Sequence, residues 1–181
     1  VLLRKDDSCL LLIDVQEKLI PLIENNESVV ERCQWLLRLA NELAIPCLVS
    51  EQYPRGLGPT LDSLKALTSQ NTLIEKVHFS CSGEPTFKQH LNEINKKQLI
   101  LIGIEAHVCV LQTALALVAE DYEVFIVVDA VGSRKALDKK YALKRMQQLG
   151  ITLVTSEMVF FEWIEQAGTP LFKGLSAKYL K

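Results

Sequence analysis

Three side chains in this sequence could share one chemistry: the thiol of Cys109, the carboxylate of Asp14 and the ammonium of Lys76. A carboxylate can take a thiol proton as the sulfur becomes a nucleophile and later pass it to a leaving amine. An ammonium beside them lowers the thiol pKa and holds the carboxylate ionised. Cys109 follows the apolar run Leu99 to Ile102 and a tight turn at Gly103, where Val108, Leu111, Leu115 and Val118 begin to recur at helical spacing. The unpaired N–H groups of a helix start favour thiolate and can donate to a developing oxyanion. Each residue also has a plainer reading: Cys109 as a small buried hydrophobe, Asp14 as a cap, Lys76 as a solvated side chain beyond an edge strand.

The elements that must position them are legible from hydrophobic periodicity. Apolar runs at Cys9 to Ile13, Pro46 to Ser50, Thr72 to Ile74, Gln98 to Ile102, Val124 to Val128 and Ile151 to Val154 read as strands. Between them lie helical patterns. The clearest spans Val29 to Ala44, with Ser28 as candidate cap; another runs from Leu137 to Leu149 and stops at Gly150; Ser156 can cap a last one through Phe160, Phe161 and Ile164. Uninterrupted apolar strands alternating with helices predict an α/β fold, a three-layer α/β/α arrangement around a mostly parallel, Rossmann-like sheet of about six strands. In such sheets ligands bind beyond the carboxyl ends of the strands, which here lead into Asp14, Glu51, Glu75 and Lys76, Cys109, and Asp129. The stretch from Glu51 to Asn71 reads as a long loop, irregular at its start because of Pro54, Gly56, Gly58 and Pro59.

With 181 residues, 49% of them hydrophobic, and a mean hydropathy of +0.16, the chain suits one domain over residues 1–181. A net charge of −2 without a basic stripe argues against nucleic acid and anionic membrane surfaces and leaves a small-molecule substrate as the expected partner. Five cysteines without CxxC spacing suit a reducing compartment. Residues Val1 to Asp7 resemble neither a signal nor a transit peptide, so the expectation is cytoplasmic, and an organellar location stays open because the chain begins with Val. His78, His90 and His107 share no ligand spacing, so no metal and no cofactor are expected.

The motif set resembles the isochorismatase-like cysteine hydrolases over nearly the whole chain. It comprises Leu11-Leu12-Ile13-Asp14-Val15-Gln16, Glu75-Lys76 with Phe79-Ser80, Gly103-Ile104-Glu105-Ala106-His107-Val108-Cys109-Val110 with Thr113-Ala114, and Val128-Asp129-Ala130 with Ser133-Arg134. A Glu51 to Gly58 loop similar to that of the metal-free, isochorismatase-domain-containing branch replaces the His-bearing metal motif of nicotinamidases.

The resemblance implies an Asp14–Lys76–Cys109 triad, a thioester acyl-enzyme, and hydrolysis of a small amide or related acyl compound. It also implies a cis peptide at Ile104–Glu105, an oxyanion hole from the Glu105 and Cys109 N–H groups, and a homo-oligomer. The presence of Cys109 favours acyl over vinyl-ether chemistry. Glu51, Tyr53 and His107 are candidate pocket residues. Other readings compete with this one. A haloacid-dehalogenase-type phosphatase would want Asp where Gln16 stands. A catalytically silent oligomeric scaffold on the same fold could use Phe160, Phe161, Trp163, Leu171 and Phe172 as an interface.

Overall fold

The computed structural model describes residues 1–181. Six strands form one sheet: β1 (Ser8–Ile13), β2 (Cys47–Gln52), β3 (Thr72–Lys76), β4 (Gln98–Ile104), β5 (Glu123–Gly132) and β6 (Thr152–Val154). Their spatial order is β3-β2-β1-β4-β5-β6 and every neighbouring pair is parallel. The helices are α1 (Asn26–Glu42), α2 (Pro54–Leu57), α3 (Asp62–Thr68), α4 (Pro85–Ile94), α5 (Leu111–Ala119), α6 (Ala136–Gln148), α7 (Ser156–Ile164) and α8 (Pro170–Tyr179).

Because strand side chains alternate between faces, the same runs feed two cores. Leu10, Leu12, Val49, Ile100 and Ile102 pack with α1, α3, α7 and α8, whereas Leu11, Ile13, Leu48, Ile74, Leu99 and Leu101 pack with α4, α5 and α6. This makes the three layers. All six positions of β1 and all seven of β4 are buried, which is why these strands show no polar alternation. β2 and β3 diverge from β4 and β5 on either side of the β1–β4 pair, so the crevice rule directs attention to the carboxyl ends of those two central strands.

Gly103 is required there. Its φ is +112°, and a Cβ would lie 2.1 Å from the Ile13 carbonyl oxygen. Only glycine lets β4 pass so close to the end of β1.

The structure corrects several element expectations. α1 begins at Asn26 behind a left-handed Asn25, so Ser28 lies inside the helix and caps nothing. Thr155, not Ser156, caps α7 by accepting from the Met158 N–H at 3.3 Å. Ser156 instead donates its N–H and hydroxyl to Asp129, which lies inside β5 because the ladder runs on to Gly132. The start of the long connection is regular after all: Pro54, with its fixed φ, opens the short helix α2. Phe160 and Trp163 are core residues at 0% and 1% exposure, which withdraws them from any interface, while Phe161 and Leu171 stay exposed.

Candidate active site

Asp14 follows β1 directly, with φ of 51° turning the chain away from the sheet. Its carboxylate is wholly buried. Oδ1 accepts the Ser50 hydroxyl at 2.7 Å and Oδ2 stands 2.8 Å from Lys76 Nζ. Lys76 ends β3, two strands away, and its side chain crosses above β2 to reach Asp14. Strand parity makes this possible: Leu48, Ser50 and Gln52 on β2 and Ile74 and Lys76 on β3 face the same side as Cys109.

The Lys76 ammonium also donates to Gln52 Oε1 at 2.5 Å and to the carbonyls of Phe79 and His78 at 2.9 and 3.2 Å. These acceptors replace water around a fully buried cation. Burial alone would lower the lysine pKa; Asp14, aided by Cys109 and Cys81, outweighs it and holds the ammonium above its ordinary value.

Cys109 lies in a π-helical turn, Ala106–Val110, that leads from β4 into α5. Its thiol feels both members of the buried pair, the Asp14 carboxylate and the Lys76 ammonium acting on it in opposite directions. The lowering of the thiol pKa that a helix start favours is opposed here. Burial first, and the Asp14 carboxylate second, push the thiol well above its usual range, and Lys76 offsets only part of this.

The Ile104–Glu105 peptide is cis. The Glu105 carbonyl accepts the N–H groups of Val108 and Val110 at 3.1 and 3.2 Å, while no backbone carbonyl takes the Glu105 N–H.

Of the candidate pocket residues, Glu51 is displaced from the site. It shares parity with Val49, on the opposite sheet face from Ser50 and Gln52, and its Oε1 accepts both the N–H and the hydroxyl of Thr60 at 2.7 and 2.8 Å. It pins the long connection to β2. His107 directs Nδ1 to the Ser133 hydroxyl at 2.9 Å. Tyr53 is 54% exposed, lies over Gly56, and walls a cleft of about 370 Å³ with Pro54, Arg55, Lys76 and Val77.

Sequence reasoning passed over Gln52 and Ser50, the groups that orient Lys76 and Asp14. Gln52 is itself fixed through Nε2 to the Val77 carbonyl, and its backbone exchanges hydrogen bonds with the Gln16 side chain. Their signal was polarity at the end of an otherwise apolar strand.

The family profile described as Isochorismatase domain matches residues 8–158, which include all three residues of the buried cluster. The chain belongs to the isochorismatase family. It is 39% identical over 161 residues to isochorismatase domain-containing protein 1 of Danio rerio, covering 88% of this chain and 56% of that protein, so it spans about half that relative's length. The solved structure of MAR1 ribonuclease from Caenorhabditis elegans superposes with a TM-score of 0.93 at 35% identity, covering 100% of this chain and 93% of the other. The octameric YcaC gene product of Escherichia coli, a hydrolase of unknown specificity, superposes with a TM-score of 0.89 at 26% identity, covering 99% and 96%. This chain thus carries the isochorismatase-family hydrolase fold. No three His, Cys, Asp or Glu side chains cluster as metal ligands, and no helix is long and apolar enough to cross a membrane.

Proposed function

We propose that this isochorismatase-family chain is a cysteine hydrolase acting on a small amide or related acyl compound. The observation that carries the proposal is the buried Asp14–Lys76 pair at 2.8 Å, whose two charges both act on the Cys109 thiol. Asp14 takes the thiol proton as sulfur attacks the acyl carbonyl, and the N–H groups of Glu105 and Cys109 receive the developing oxyanion. The tetrahedral adduct collapses with cleavage of the C–N bond, the proton on Asp14 passes to the departing amine, and a thioester remains on Cys109. Water, losing a proton to Asp14, then releases the acid and restores the thiol. Lys76, saturated with fixed acceptors, supplies a stationary positive charge and does not carry the proton.

The C. elegans neighbour's name raises phosphodiester cleavage as a second reading. The net charge of −2 and a site whose buried cation is already committed to Asp14, Gln52 and two carbonyls favour a neutral acyl substrate over a polyanion. The octameric YcaC neighbour supports a homo-oligomer, to which the exposed Tyr53, Val77 and Phe79 could contribute. Ammonia release from a panel of small primary amides, with RNA hydrolysis measured in parallel, tests the assignment. Turnover of one or more amides that Asp14→Asn removes supports it; RNA cleavage that survives Asp14→Asn and Cys109→Ala, with every amide inert, contradicts it.

A further inference from the structure

The turn that carries the proposed oxyanion donors is held from outside by two adjacent residues of the β5–α6 loop. Arg134 donates its backbone N–H at 3.2 Å and its Nε at 3.1 Å to the same Glu105 oxygen, Oε2. One residue earlier, the Ser133 hydroxyl meets His107 Nδ1 at 2.9 Å. The Glu105 side chain is only 12% exposed, whereas Arg134 is 56% exposed. The loop has its own anchors: the Ser133 carbonyl accepts the Glu24 N–H at 3.1 Å, and Glu24 Oε2 accepts the Ala136 N–H at 2.7 Å. A carboxylate bound by a backbone donor and a guanidinium from one fixed loop resists rotation about its own backbone. Glu105 contributes the peptide N–H nearest the start of this turn, so fixing its side chain fixes the direction of that donor.

We propose that the Glu105 side chain is a positioning residue, held by Arg134, that aims the oxyanion-binding N–H groups without entering the proton transfer between Cys109 and Asp14. This deepens the hydrolase reading and rests on it. A displaced donor weakens only steps that generate an oxyanion, because its hydrogen bond forms where charge develops. Nucleophilic substitution at an sp³ carbon generates none, so the two reaction types separate positioning from general damage.

The test compares two probes on the intact protein. Acylation of Cys109 by 4-nitrophenyl acetate is followed by nitrophenolate release, and alkylation of Cys109 by chloroacetamide by mass spectrometry, for wild type, Glu105→Ala, Glu105→Gln and Arg134→Met. Glu105→Ala is expected to slow acylation at least tenfold and leave alkylation within twofold of wild type. Glu105→Gln, which keeps an acceptor for Arg134, should recover most of the acylation rate, and Arg134→Met should lose several-fold. Acylation unchanged in Glu105→Ala, or acylation and alkylation falling together, overturns the proposal. Should Glu105→Ala not fold, Arg134→Met decides by the same ratio. Cys109→Ala is the separate control: acylation that persists in it defeats the hydrolase reading itself, whereas its loss with a wild-type ratio in the Glu105 variants defeats the positioning role alone.

Discussion

Asp14 follows β1 and Lys76 ends β3, with β2 between them, yet their charged atoms are 2.8 Å apart with neither side chain exposed. Such a pair gains its Coulomb energy only by giving up water, so its worth to the fold is small while the cost of breaking it is large. A reaction that needs a fixed charge beside a thiol gives that arrangement a use.

Lys76→Met should therefore damage both stability and chemistry. It leaves the Asp14 carboxylate buried without its partner, and the expected loss is about 3–5 kcal/mol, read from denaturant unfolding. An equally stable variant with unchanged turnover would remove Lys76 from the account.

Stability should fall on the alkaline side. Burial pushes the Cys81 thiol up to about 11 and the Cys9 thiol up to about 12, from an ordinary value of 9.0. A raised folded pKa means that the unfolded chain releases these protons first. Their contribution is complete below about pH 9 and is lost as pH rises through 11 and 12, at up to about 1.4 kcal/mol per pH unit for each group. The raised Lys76 ammonium acts in the same direction, since its pairing with Asp14 is lost when it deprotonates. Melting temperature measured from pH 8 to 11 should drop above pH 9, less steeply in Cys81→Ala. A flat profile would contradict the burial of these thiols.

Gly103→Ala places a methyl group 2.1 Å from the Ile13 carbonyl oxygen at a φ of +112°. Backbone must move at the β1–β4 crossing, and a loss of about 3 kcal/mol or more is expected in thermal or denaturant unfolding. A melting temperature within 2 °C of wild type, about the shift of 0.5–1 kcal/mol for a chain this size, would show that the crossing can relax.

Amide turnover should be unchanged after dialysis against EDTA, because Asp14 is already engaged by Ser50 and Lys76 and His78, His90 and His107 do not converge. Loss of activity on chelation, restored by one divalent metal, would contradict this.

The architecture was legible in the sequence because both faces of the sheet are covered: strands such as Leu99–Ile102 carry no polar residue to confuse with a turn. Strand ends were less so. Glu51 and Gln52 look like the end of a strand, yet both are buried with internal partners, Thr60 for one and Lys76 for the other. Asp129 reads as a site residue after an apolar run, but it is satisfied by Ser156 at the start of α7. Asp14, Lys76 and Cys109 were each visible as residue types at strand ends. Their grouping was expected from the family resemblance and not from periodicity, because it depends on β2 lying between β1 and β3 and on side-chain parity across the strands. The upward push on the Cys109 thiol was hidden for a similar reason: helix-start chemistry is local, while the burial and the Asp14 charge that oppose it come from the tertiary fold.

The central claim is that the Cys109 sulfur forms a covalent bond to the acyl group of the substrate. Its most direct measurement is the intact mass of protein quenched in acid during turnover of an amide from the panel, followed by peptide mapping. The expected result is a mass increase equal to the acyl group on the peptide containing Cys109, with Cys109→Ala folded, unmodified and slower by at least about a thousandfold, on the scale of removing a catalytic nucleophile. Turnover by Cys109→Ala within tenfold of wild type, or an acyl group carried on another residue, would contradict it.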